Sequence, residues 1–137
     1  MDRHLIAAAV ERAQMADMAW GRDDCCLWVA DIVAAHKGPD IAKPFRGYRT
    51  RIGSALALKR YGGSDLLRAA LKRAGELGLK EVGGAYRDGD LGLVLNQTGQ
   101  ALALFHRNAW VARSASGIAY LPAHFVVIAW RLPCLQS

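Results

Sequence analysis

The hydrophobic pattern of the chain changes period once, near Asp90, and that change constrains the fold more than any other feature. After it, apolar residues alternate at Leu91, Leu93 and Leu95, and short apolar runs follow from Ala101 to Phe105, Ala109 to Arg113, Gly117 to Leu121 and Phe125 to Arg131. Turn-forming segments separate them: Asn96-Gln97-Thr98-Gly99-Gln100, His106-Arg107-Asn108, Ser114-Ala115-Ser116 and Pro122-Ala123-His124. Connections this short join antiparallel neighbours, because parallel strands need a crossover of about a dozen residues. An antiparallel meander, curling toward a small barrel, is predicted for residues 90–132.

Before Asp90 the spacing is helical. Leu5, Ala9, Val10, Ala13 and Ala16 fall on one stripe of a helix predicted from Asp2 to Met18, with Glu11, Arg12 and Gln14 opposite. Asp23 or Asp24 then suits the N-cap of a second helix, apolar nearly all round, running to Lys37 and ended by Gly38-Pro39. Thr50 caps a third helix that Gly62-Gly63 end, and Ser64 a fourth reaching Ala74, with a loop from Gly75 to Asp88. Helices over about 2–75 followed by strands over about 90–132 give an α+β class. The 137 residues make one domain, since a single core takes ~100–150.

Composition narrows the function classes. A chain 53% hydrophobic and 22% charged folds and is not a disordered segment. No apolar run reaches the ~18–20 residues of a membrane helix, and Met1-Asp2-Arg3-His4 runs into an amphipathic stretch unlike the apolar core of a signal peptide. The net charge of +6 is uneven: between Lys37 and Lys80 eleven Lys/Arg face three acids, a surplus of +8, and the remaining seven basic against nine acidic residues give −2. Such a segment suits an acidic protein, an anionic polymer or nucleic acid, and equally a solvated helical surface. No zinc-finger spacing or RNA-binding motif accompanies the charge, which leaves nucleic acid a minor option.

Three cysteines at 25, 26 and 134 make a poor disulfide framework, and the CxxC spacing of zinc sites is absent. Iron–sulfur ligation by Cys25, Cys26 and Cys134 finds no support in the spacing, and no cofactor or metal is expected. Cys25 opens an apolar helix, where free N–H groups and the positive end of the dipole favour thiolate. Asp23 and Asp24 oppose that shift unless they are tied up as caps. Trp28, Trp110 and Trp130 read as core, and neither glycine pair has the context of a phosphate loop.

Gly21, the Asp24-Cys25 pair opening an apolar helix, and Gly89-Asp90-Leu91 opening a strand resemble the NlpC-type cell-wall cysteine peptidases, whose fold is papain-like. More closely, the chain from about Leu5 to Arg131 is similar to small phage- and prophage-encoded proteins of that superfamily, found among tail-assembly genes beside tail-tip and hub components. The resemblance implies Cys25 as the nucleophile, with Cys26 in the place of a small Ser. It implies other tail-tip and hub proteins as partners, peptidoglycan as the substrate of an active form, and residence in the virion tail after synthesis in the host cytoplasm.

The same resemblance requires a histidine early in the strand that follows the Gly-Asp-Leu strand, where this chain has Ala101-Leu102-Ala103-Leu104. The candidate base is His106, about five residues on, roughly 15–17 Å at ~3.3 Å per residue. Asp24 is a further site candidate, through its capping position. No orienting polar residue appears on Ala109–Arg113. Alanine can neither take nor return a proton, so the expectation is a tail structural protein on a peptidase-like domain without a complete triad. The alternative is an active peptidoglycan peptidase or amidase, with N–H groups at the helix start as its oxyanion hole. A nucleic-acid or immunity factor using the basic segment is a third class.

Overall fold

The computed structural model describes residues 2–96 and 99–133; Cys134, and Gln97 and Thr98 of the expected 96–100 turn, lie outside the described residues. Helix α1 spans Arg3–Gln14, and the Asp2 carboxylate accepts from the His4 N–H at its start. Its buried stripe is Ile6, Ala9, Val10 and Ala13, the i, i+3, i+4, i+7 set. Leu5, expected in that stripe, is 47% exposed, and Ile6 takes its place. The helix stops at Gln14 and not at Met18 because the buried Arg113 guanidinium donates to the Ala13 and Ala16 carbonyls at 3.0 and 2.8 Å. A cation captures the last carbonyls, which are the negative end of the helix.

Helix α2 covers Leu27–Ala35, shorter at both ends than predicted, and buries Leu27, Trp28, Val29, Ala30, Ile32 and Val33. A short 3-10 turn at Lys43–Phe45 leads to α3, Arg51–Tyr61, where Thr50 accepts from Gly53 N–H and Gly62 ends the helix as predicted. Helix α4, Leu66–Leu77, differs from the sequence expectation at both termini. Its cap is Asp65, which accepts from Arg68 N–H, and not Ser64; it runs three residues beyond Ala74 to a left-handed Gly78. The expected 75–88 loop then also contains a strand, β1, Lys80–Val82. Its mostly exposed Lys-Glu-Val sequence has no apolar alternation to betray it.

The remaining strands fall where the period-two pattern puts them: β2 Leu91–Asn96, β3 Gly99–His106, β4 Ala109–Ser114, β5 Gly117–Pro122 and β6 Val126–Arg131. All pair antiparallel, in the order β1-β6-β2-β3-β4-β5. The meander holds from β2 to β5, but β6 crosses back to pair with β2 and not β5. The sheet therefore stays open, with β1 and β5 at its edges, and does not close into the expected small barrel. One ion pair explains the return. The fully buried Asp90 accepts from Arg131 Nε and Nη2 at 3.0 and 2.9 Å and from Arg87 N–H at 2.9 Å, fixing the end of β6 beside the start of β2. A planar guanidinium bonding both carboxylate oxygens sets position and orientation together.

Both faces of the central strands β3 and β4 are buried. Leu91, Leu93, Leu102, Leu104, Val111 and Trp130 face the helices, while Val94, Ala101, Ala103, Phe105, Trp110 and Ala129 form a second cluster joined by Tyr86. The alternation in β3 is accordingly small against large, alanine against leucine, and not polar against apolar. Gly92 makes room for this second cluster: a Cβ there would stand 2.7 Å from Trp110 Cζ3 and 2.9 Å from Val126 Cγ2. Gly92→Ala should therefore destabilise the fold by about 1–3 kcal/mol, the usual cost of overpacking. Urea unfolding should show a lower midpoint at unchanged slope; an unchanged midpoint would mean that Trp110 yields freely.

Candidate functional site

The site is built on the loop between α1 and α2. Gly21 has φ +84°, and a Cβ on it would run into the Tyr48 carbonyl, so only glycine lets the loop lie against residues 48–49. Asp23 accepts from Ala19 N–H at 2.7 Å and from Arg113 Nη2 at 3.2 Å. Asp24 has no exposed surface, and both of its oxygens are fully used. Oδ1 accepts from the N–H groups of Cys26 and Leu27, each at 3.0 Å; Oδ2 accepts from Gly21 N–H at 3.0 Å and the Tyr48 hydroxyl at 2.6 Å. Both acids are thus tied up. The N-cap position of α2 falls at Cys26, which makes no side-chain cap bond, and Asp24, one of the two caps expected, serves the helix start from two residues earlier.

Cys25 sits in the turn just before α2, and its carbonyl accepts from Leu102 N–H at 3.2 Å, pinning it to β3. It lines a cleft of about 300 Å³ walled by Trp20, Tyr48, Arg51, Leu58, Leu66 and Gln100. The cysteine also packs against the second apolar cluster, which contains Ala101 and Ala103. The thiol is pushed up to about 11 by burial and then by the Asp24 charge; its own N–H and Arg51 pull the other way. This reverses the lowering expected from the helix start. The N–H groups that would have favoured thiolate are spent on Asp24, whose charge remains close by. Burial, then Asp24, likewise raises the fully buried Cys26 well above the ordinary thiol value. Burial and the Asp24 carboxylate hold the Tyr48 hydroxyl in its neutral form as well.

None of the four histidines lines this cleft. His106 ends β3, four residues past the Leu102 contact, or about 13 Å along the strand. It lies against α1 in a groove with Val10, Gln14 and Tyr120. Its Nδ1 is buried without a partner, and burial holds the imidazole below its ordinary value, with Arg107 and Arg3 adding to that and Asp88 opposing it. The structure thus does not bring His106 to Cys25. His36 Nδ1 lies 2.8 Å from the Ile32 carbonyl, His124 stacks on Phe125 at 4.8 Å, and His4 lies on α1. Among the described residues no three His, Cys, Asp or Glu gather closely enough to hold a metal ion, and no helix is long and apolar enough to cross a membrane.

Sequence reasoning passed over Tyr48, Arg51 and Gln100. Gln100 ties the start of β3 to α4: its Oε1 accepts from Leu67 N–H at 2.9 Å and its Nε2 donates to Asp65 at 3.2 Å. Tyr48 and Arg51 flank Thr50, where the sequence signals only a loop and a cap. Chemically, the cleft offers apolar walls, aromatics at Trp20, Phe45 and Tyr48, one guanidinium and a thiol held neutral by burial.

Fold and site together define an α+β domain with a cysteine before its central helix and a cleft without an imidazole. The chain belongs to the DUF6950 family, a domain of unknown function whose model matches residues 2–132. No curated protein matches it.

Alkylation of Cys25 by iodoacetamide, followed residue by residue with mass spectrometry, checks the electrostatics. The rate should keep climbing with pH beyond about 9, where an ordinary thiol levels off. Arg51→Gln should move the rise to still higher pH. A plateau below about pH 9 would show that the thiol is activated after all.

Proposed function

We propose that the chain is a structural component of a phage tail tip, built on an NlpC-type, papain-like cysteine peptidase domain without a complete catalytic triad. The observation that carries this reading is the Cys25 cleft, which has a cysteine but no histidine in its walls. Amide cleavage by a thiol needs a base to take the proton and an acid to return it to the leaving amine. It also gains from N–H donors aimed at the developing oxyanion. Here the thiol is held neutral by burial and Asp24, and the Cys26 and Leu27 N–H groups already donate to Asp24.

In this reading the peptidase scaffold is retained for its shape. The chain is made in the host cytoplasm and joins hub and other tail-tip proteins through its basic middle. The surplus supports such docking: the three acids of the 37–80 segment pair with Arg46, Arg68 and Arg73, which leaves eight basic side chains without an acidic partner among the described residues.

One observation favours the active peptidoglycan peptidase or amidase as the second reading: the Cys25 side chain opens onto the cleft beside Arg51. Incubation of the full chain with purified sacculi and with stem peptides separates the two. The structural reading expects no thiol-dependent release of peptides, and a stable complex with tail-tip proteins that survives Cys25→Ala. Efficient cleavage abolished by Cys25→Ala would overturn it.

A further inference from the structure

Helix α3 is the least buried helix of the domain. Only Ala57 is fully covered, while Leu58 and Tyr61 pack partway onto the core. Its outer face carries Ile52, 75% exposed, and Leu56, 55% exposed, four residues apart. At 3.6 residues per turn these two stand side by side, between Arg51 and Lys59 on one flank and Arg60 on the other. All three cations are exposed, and none has an acidic partner among the described residues. From Ile41 to Ser64 the chain has six Lys/Arg and no acid. The face is therefore an apolar stripe between rows of positive charge, which no acid among the described residues pairs with.

We propose that α3 is a docking helix, whose Ile52–Leu56 stripe enters an apolar groove on a partner polypeptide with carboxylates along its rim facing Arg51, Lys59 and Arg60. Charge complementarity selects the partner's sign, and the stripe selects its class. A helix laid in a groove is anchored by apolar residues at i and i+4, with charges fixing register at the rim. A nucleic acid would meet Ile52 and Leu56 with phosphates, and such interfaces are more polar and more positive throughout. A membrane-surface helix presents a broad continuous apolar face, whereas α3 exposes two large apolar side chains and Ala55. Since Arg51, Ala55 and Leu58 also line the Cys25 cleft, the partner would lie along the cleft's rim.

The inference rests on the tail-tip reading in taking the partner to be a protein of the same assembly. The test places photoreactive benzoylphenylalanine at position 52 or 56 of the full chain, with a control at Met15, the C-cap residue of α1, which is 84% exposed. Each is produced together with the tail-tip and hub proteins and irradiated. Positions 52 and 56 should react with one polypeptide, at a segment bearing several carboxylates, and position 15 should not. Lys59→Glu/Arg60→Glu should weaken that complex by about tenfold or more. Both stand in the last turn of α3, where carboxylates oppose the helix dipole, so the thermal midpoint should fall modestly while the chain stays folded. Acid-to-lysine changes in the identified segment should restore binding of the reversed chain. If the complex forms while 52 and 56 stay unreacted, another face docks: the inference falls and the tail-tip reading stands. Adducts with lipid or nucleic acid also overturn it. If no tail protein associates at all, the tail-tip reading falls with it.

Discussion

A carboxylate removed from water must find donors or it drives the chain apart, and Asp24 meets that demand with four. Three are backbone N–H groups from Gly21, Cys26 and Leu27; the fourth is the hydroxyl of Tyr48. One side chain thus holds the entry loop, the start of the central helix and the segment that leads into α3. Gly21 completes the arrangement by allowing the loop to touch the chain at Tyr48. The position of Cys25, the electrostatics around it and the shape of the cleft all follow from satisfying this one buried charge.

The same constraint explains why the start of α2 does not activate Cys25. The Cys26 and Leu27 N–H groups at the helix start are consumed by Asp24, so burial and the Asp24 charge outweigh what Cys25's own N–H and Arg51 supply to the thiol. Arg113 and Asp90 repeat the pattern elsewhere. Each is fully buried and polar, and each ties distant parts of the chain together: Arg113 joins the end of α1 to β4 and to Asp23, and Asp90 joins β2 to β6. Polar atoms in this interior act chiefly as fasteners.

Much of the architecture was legible in the sequence because it depends on local pattern. Leu91-Leu93-Leu95 and the turns after Phe105, Arg113 and Leu121 located the strands; Thr50 and Gly62 located α3. What escaped was set by contacts between distant residues. The early end of α1 comes from Arg113, about a hundred positions away. The return of β6 to β2 comes from Asp90 and Arg131, and β1 gains its identity only by pairing with β6. At the site, Gly21, Asp24 and Cys25 were readable as a unit, as was the lack of a histidine on Ala101–Leu104. The rise of the thiol was not, because it depends on where the Asp24 oxygens point. Tyr48, Arg51 and Gln100 enter the cleft from elements that only the tertiary fold brings together.

The open sheet has a consequence for life at high local concentration. An unclosed sheet leaves two margins of unpaired backbone, on which another copy of the chain could add a strand. Each margin is blunted differently. At one, β1 is only three residues long and carries Lys80 and Glu81, leaving little template to copy. At the other, β5 ends in Pro122 and lies beside α1, with Gln14 donating to the Tyr120 hydroxyl at 2.7 Å. Strand addition edge to edge is the association such margins invite, and the short charged β1 and the proline-ended β5 both work against it.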